Sequence, residues 1–201
     1  MPNLLLASTN PGKIKEYRFL LGNLGYQITT LGEQGISKFA IESGNSYEQN
    51  AQLKAVAYAK LSQLTTIADD SGLEVDALSG MPGIHSARFA GKEATDADRV
   101  KALLASLDGV PWEKRTACFK CVIAIVTPKG QLELCHGECH GTIAFEAKGE
   151  NGFGYDPIFY LTEMDKTMAE LPLEIKNQIS HRGQASQEAR QILTRLHTQL
   201  I

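Results

Sequence analysis

A short, wholly apolar run, Leu4 to Ala7, ends at the polar loop Ser8-Thr9-Asn10-Pro11-Gly12-Lys13, and a helical stripe of Ile14, Tyr17, Leu20 and Leu21 follows at once. Such a strand has no polar face to give to water, and the element delivered next is an amphipathic helix, the pairing from which α/β sheets are built. Asn10 is suited to cap that helix, and Pro11 to its first position, where the missing N–H donor is unpaired anyway. The pattern then repeats. A short strand Tyr26 to Thr30 is followed by a capping box, Ser46 with Gln49, that opens a helix from Tyr47 to about Ser62. Leu64 to Ala68 is a buried strand stopped by Asp69-Asp70-Ser71-Gly72, with a short strand Leu73 to Val75 after it. Gly80 to Gly91 holds too many breakers for a regular element and is expected to be an ordered loop.

Thr95 with Asp98 opens a third helix, to about Leu107, and Arg115 to Val126 turns at Pro128-Lys129-Gly130 into a strand Gln131 to about Gly137. A strand near Thr142 to Ala147, the glycine-rich Gly149 to Asp156, and two helices, Thr167 to about Ile179 and Ala185 to Leu200, complete the chain. Strand-helix alternation around one long central hairpin predicts an α/β fold on a mixed sheet, as a single domain of residues 1–201 folded in two lobes.

Composition removes several classes of function. The 201 residues are 43% hydrophobic and 21% charged, so the chain is an ordinary globule that buries its core without disulfides or structural metal. A net charge of −3 provides no basic surface for a nucleic-acid backbone. The opening MPNLLLASTN has no basic n-region, and the longest apolar run, Cys121 to Val126, is far too short to span a bilayer. Neither a signal peptide nor a membrane segment is expected, and four cysteines without one point to reduced thiols in a cytoplasmic compartment.

Five segments can carry chemistry. The loop Ser8 to Lys13 sits at a helix N-terminus, where free N–H groups favour an anion, and Lys13 adds a charge; it can cradle a triphosphate or be a well-capped helix start. Asp69 and Asp70, at the carboxyl end of an apolar strand, lie where α/β sheets bind ligands and can hold Mg²⁺, but on an extended segment only one of the two faces the site; the alternative is a turn capped by both. Asn50 and Lys54 share a helix face, while Glu42 is a further carboxylate with no spacing argument for it. Phe153 to Asp156, flanked and interrupted by Gly152 and Gly154, can stack on a planar base or plug a tight turn. Ser180-His181-Arg182-Gly183 offers an imidazole and a rigid donor fork, or is a plain turn between helices.

Cys118-x-x-Cys121 and Cys135-x-x-x-Cys139, with His136 and His140, have a superficial zinc look. Three residues apart on a strand, Cys118 and Cys121 point to opposite faces, and an extended Cys135 to Cys139 spans ~13 Å at ~3.3 Å per residue. The four are expected to be strand cysteines and not one zinc site.

In order along the chain, STNPGK, Gln49-Asn50-Ala51 with Lys54, IADDSGLEVDAL, PGIHSARFAG, GFGYDPIF and ISHRGQA closely resemble the motifs of the inosine/xanthosine triphosphate pyrophosphatase family, over residues 8 to 185. The resemblance implies an α/β fold with a cleft between two lobes, a homodimer, a requirement for Mg²⁺, and hydrolysis of ITP, dITP and XTP to the monophosphate and pyrophosphate. By position it assigns the phosphates to Ser8, Thr9, Asn10, Pro11, Gly12 and Lys13. Asp70 becomes proton acceptor and metal ligand, with Glu42 the second metal carboxylate. Substrate contacts fall to Lys54, Ser71 and Lys176, the base enclosure to Phe153, Gly154, Tyr155 and Asp156, and the purine edge to His181 and Arg182. His85 stands where a tyrosine is commoner, and the cysteines lie outside the pattern. Three other readings are a septum-inhibitor-type nucleotide pyrophosphatase, a non-catalytic nucleotide-binding regulator, and a zinc-stabilised interaction module.

Overall fold

The computed structural model describes residues 1–37 and 43–198. Seven strands form one mixed sheet in the order β2-β1-β3-β4-β5-β6-β7. They are β1 (Asn3–Leu6), β2 (Gln27–Thr30), β3 (Thr65–Val75), β4 (Thr116–Val126), β5 (Leu132–Ile143), β6 (Phe159–Leu161) and β7 (Lys166–Thr167). The helices are α1 (Pro11–Leu21), α2 (Tyr47–Ser62), α3 (Asp96–Ser106), α4 (Leu173–Ile179) and α5 (His181–Thr198). β1 pairs in parallel with both β2 and β3, as the first strand-helix unit requires, while β5, β6 and β7 pair antiparallel. Among the described residues no helix is long and apolar enough to cross a membrane.

The chain divides into two compact units, the first comprising Met1–Asp70, Cys121–Gly137 and Arg182–Ile201, the second Ser71–Lys120 and Glu138–His181. In unit 1, Leu4, Leu6, Ile67, Ile123 and Ile125 from the strands pack with Tyr17 and Leu21 of α1 and Ala185, Ala189 and Leu193 of α5. In unit 2, Leu73, Val75, Phe119, Ile143 and Phe159 pack with Leu103, Leu107 and Met168.

Capping sets the helix starts. The Asn10 side chain accepts from the Lys13 N–H at 3.1 Å with Pro11 in the first turn. At α2, Ser46 accepts from the Gln49 N–H, but the Gln49 side chain returns to the N–H of Asn45, one residue earlier than a capping box requires. Thr95 and Asp98 form the full reciprocal box at α3.

Four expectations are corrected. Asp69 and Asp70 do not cap a turn, because β3 runs unbroken through Asp-Asp-Ser-Gly to Val75. Gly137 and Gly141 likewise lie inside one continuous strand, β5, and not between two. The expected helix from Thr167 is the short strand β7, a 3-10 turn Met168–Glu170 and, after Pro172 resets the backbone, α4. α5 begins at His181, four residues early, so His181 and Arg182 open a helix and are buried; they are not a surface turn. Within Gly80 to Gly91 the loop contains a 3-10 helix, Gly83–Arg88.

Candidate active site

β3 delivers the two aspartates to opposite sides, as its two-residue period dictates. Asp69 is buried in unit 1, its Oδ2 2.9 Å from Lys13 Nζ and 3.2 Å from Arg182 Nη2. Burial alone raises the Asp69 pKa, but Lys13, Arg182 and Lys54 together hold it well below the usual carboxylate range. Arg182 also donates to Glu16 Oε2 at 2.7 Å with its side chain 1% exposed, and Glu16 and Asp69 outweigh the desolvation of the guanidinium and raise its pKa. Tyr17 and Cys121 close this pocket, and burial, with the Asp69 charge beside it, pushes the Cys121 thiol up to about 12.

Asp70 faces α2. Lys54 Nζ lies 3.1 Å from Asp70 Oδ1 and 2.7 Å from the Asp69 carbonyl oxygen, and Asn50 Nδ2 donates to Asp70 Oδ2 at 3.2 Å. Asn50 is itself held by the Gly44 N–H, which donates to its Oδ1 at 2.9 Å. A Cβ on Gly44 would come within 2.6 Å of Gln49 Cβ, so only glycine lets the backbone approach α2 this closely. The shared helix face of Asn50 and Lys54 is thus the face that meets Asp70. Glu42 lies outside the described residues.

Unit 2 gathers a second group. The Lys176 ammonium pairs with the Asp156 carboxylate and lies 4.9 Å from the centroid of the Phe153 ring. Asp156 Oδ2 also accepts from the Phe153 N–H at 2.8 Å. Gly152, at φ +76°, makes this possible: a Cβ there would sit 2.0 Å from Asp156 Oδ2. Gly154 is different, because a Cβ would meet nothing within 4 Å and its N–H donates to Asp96 Oδ2 at 2.7 Å. Tyr155 is a buried plug whose hydroxyl donates to the Ser86 carbonyl, and His181 stacks on Phe119 with centroids 4.7 Å apart. Ser71 follows Asp70 on β3, half-buried, and His85 is exposed on the 3-10 helix.

The sequence-derived residues therefore fall into two groups. Lys13, Lys54, Asp70 and Arg182 meet in unit 1 around Asp69; Phe153, Asp156 and Lys176 meet in unit 2, as do His181 and Phe119. Glu16 was missed. It lies three residues after Lys13, one helical turn, which is the spacing that would have placed both on one side of α1.

The cysteines behave as strand residues. Cys121 and Cys135 belong to the unit 1 core and Cys139 to the unit 2 core, while Cys118 is only half-buried. Burial raises every one of the thiols, to about 11 at Cys118 and Cys139 and about 12 at Cys135, so all are protonated at neutral pH.

A family model, the Ham1 family, matches residues 4–192. The chain belongs to the Ham1 family. It is 50% identical over 194 residues to the dITP/XTP pyrophosphatase of Desulforamulus reducens, covering 96% of each chain. Against the dITP/XTP pyrophosphatase of Bacillus subtilis it is 43% identical over 193 residues, 96% of this chain and 98% of that one. The solved structure of a HAM1 protein from Coxiella burnetii superposes with a TM-score of 0.87 at 42% identity, covering 97% of this chain and all of the other. The Coxiella burnetii protein thus shares its α/β fold.

Proposed function

We propose that residues 1–201 act as one nucleoside triphosphate pyrophosphatase that hydrolyses non-standard purine nucleotides, dITP, XTP and ITP, to the monophosphate and pyrophosphate, and so removes them from the nucleotide pool. The observation that carries this reading is the Asp70 carboxylate held between Lys54 and Asn50, next along β3 to the Asp69 that pairs with Lys13, in a chain whose Ham1 relatives are named for this reaction.

The donor set fits a hard divalent ion. Lys13, Lys54 and Arg182 face Glu16, Asp69 and Asp70, so the unit 1 cluster is already neutral. A triphosphate adds several negative charges to that balance, and carboxylate oxygens such as those of Asp70 are the ligands Mg²⁺ takes beside substrate phosphates, Glu42 being the second carboxylate that this reading proposes. Bound there, Mg²⁺ supplies Lewis-acid stabilisation of charge on the phosphoryl oxygens.

The chain's own residues do the rest. The Ser8 to Lys13 loop and the N-terminus of α1 hold the phosphates, Lys13 adding its charge. Water attacks the α-phosphorus, the bond from that phosphorus to the bridging oxygen breaks, and pyrophosphate leaves. Asp70 accepts the proton of the attacking water, and Lys54 and Asn50 fix its orientation. Ser71 and Lys176 contact substrate, Phe153 to Asp156 enclose the base, and His181 and Arg182 read its edge. The enzyme works as a cytoplasmic homodimer without nucleic acid or membrane.

The test is pyrophosphate release from dITP, XTP and ITP against ATP and GTP, with and without Mg²⁺. Mg²⁺-dependent release from dITP, XTP and ITP, with ATP rejected, is expected. Release of orthophosphate refutes the reading, and tight nucleotide binding without turnover favours the non-catalytic regulator.

A further inference from the structure

Along β4, Ala117 and Phe119 are buried while Cys118 and Lys120 are half-buried; along β5, Cys139 is buried while Glu138 and His140 are exposed. The period of two therefore puts Cys118, Glu138 and His140 on one face of neighbouring strands, away from the unit 2 core. Cys118 Sγ, a carboxylate oxygen of Glu138 and a ring nitrogen of His140 all lie within 4.8 Å of one another. They rim a cavity of about 450 Å³ that also takes in Glu74, Asp76 and Lys120. Three carboxylates thus face one ammonium, a balance that favours a cation.

The donor types decide which cation. Mg²⁺ and Ca²⁺ take oxygen ligands, whereas a thiolate, an imidazole and a carboxylate together are the set of a borderline ion. Donors ~2.0–2.3 Å from a common tetrahedral ion stand roughly 3.5 Å apart. Closing from 4.8 Å asks only for side-chain adjustment, since Glu138 and His140, 51% and 79% exposed, already approach each other, His140 Nε2 lying 3.7 Å from Glu138 Oε2. We propose that Cys118, Glu138 and His140 bind a zinc-class divalent ion, with water or an external donor in the fourth position. Binding forms the metal–sulfur bond and releases the Cys118 thiol proton to solvent. Cys121, Cys135 and Cys139 take no part. Lys120 opposes the ion, because its ammonium lies 2.9 Å from Glu74 and 3.8 Å from Glu138 and competes for the latter carboxylate.

The experiment is zinc titration of the metal-free full chain against a chromogenic chelator, with excess Mg²⁺ present to fill the Asp70 region, together with spectra of the Co²⁺-loaded protein. One zinc per chain and a near-ultraviolet sulfur-to-cobalt charge-transfer band are expected. Cys118→Ser abolishes the band, and Cys118→Ser, Glu138→Gln and His140→Ala each weaken binding about 100-fold or more. Lys120→Met tightens it severalfold, an outcome no purely structural role produces. His136→Ala and Cys139→Ser leave it unchanged, melting curves establishing that each variant is folded. Absence of zinc binding, an unchanged affinity in Cys118→Ser, or one ion per two chains with dimers appearing only when metal is added overturns the proposal.

Discussion

Asp69→Asn removes one charge from the most enclosed ion pair of unit 1 and changes almost no volume. The carboxylate is shared by Lys13 at 2.9 Å and Arg182 at 3.2 Å. Taking one partner from a buried pair costs ~3–5 kcal/mol, because the remaining charge stays desolvated. Here the low end applies, since Arg182 keeps Glu16 at 2.7 Å and the amide oxygen still accepts one hydrogen bond. A loss of ~3 kcal/mol in a chain of this length lowers Tm by roughly 6–12 °C.

The pH dependence separates charge from packing. The folded pKa of Asp69 is depressed, so its contribution is complete above the unfolded value of ~3.9 and is lost as pH falls from there through the folded value. The mutant's deficit is therefore flat from pH 7 to 5. By pH 3 it shrinks by about 1 kcal/mol, at up to 1.36 kcal/mol per pH unit. Urea unfolding of both proteins at pH 7, 5 and 3 measures this directly. A deficit below ~1 kcal/mol at pH 7, or one that stays the same at pH 3, refutes the account of Asp69 as the anchor of the cationic cluster.

Asp70→Asn is expected to keep the fold, losing about 1 kcal/mol because Lys54 retains the Asp69 carbonyl, while pyrophosphate release falls at least ~100-fold; near-normal turnover in the folded variant removes Asp70 as proton acceptor. Lys13→Ala should raise KM far more than it lowers Tm, since Arg182 still pairs with Asp69, and kinetics beside a melting curve measure both. Arg182→Ala should lower turnover of ITP strongly and narrow its advantage over ATP, because a guanidinium satisfies the keto oxygen of hypoxanthine and not the amino group of adenine. If ITP and ATP decline by the same factor, Arg182 serves the fold or the phosphates instead. Light scattering should give a mass twice 21.9 kDa, and a single-chain mass withdraws the homodimer.

What was legible in the sequence was local. Asn10, Ser46 and Thr95 each announce a helix start through short-range capping, and each caps in the structure. The misses arise where tertiary partners override local preference. Asp-Asp-Ser-Gly has turn chemistry, yet Lys13, Arg182, Lys54 and Asn50 satisfy the two carboxylates and the strand continues through them. Gly141 reads as a break, but a Cβ there would lie 2.6 Å from the Tyr160 carbonyl oxygen and 2.8 Å from the Phe159 ring, so glycine is what lets β6 pair with β5. Gly183 reads as part of a turn between two helices and lies in the first turn of α5 instead. The partnership of Glu16 with Arg182 joins residues 166 apart in sequence, beyond any local signal.

The three cations around the aspartates differ in how free they are to serve a ligand. Their side-chain exposures are 16% for Lys13, 11% for Lys54 and 1% for Arg182. Lys54 is tied to Asp70 and to a backbone carbonyl, and Arg182 to two carboxylates. Lys13, flexible and nearest to solvent, has the least to lose by exchanging Asp69 for a phosphate oxygen. When it does so, Asp69 is not stranded as a buried unpaired charge, because Arg182 stays. The double pairing of Arg182 then has a purpose that base reading alone does not explain: it keeps Asp69 neutralised whether or not Lys13 is engaged with substrate. On this account the loss of Arg182 injures unit 1 as well as base choice. Its kinetic effect on the ITP to ATP ratio is therefore the informative quantity, since damage to the shared anchor lowers both rates together and cancels in the ratio.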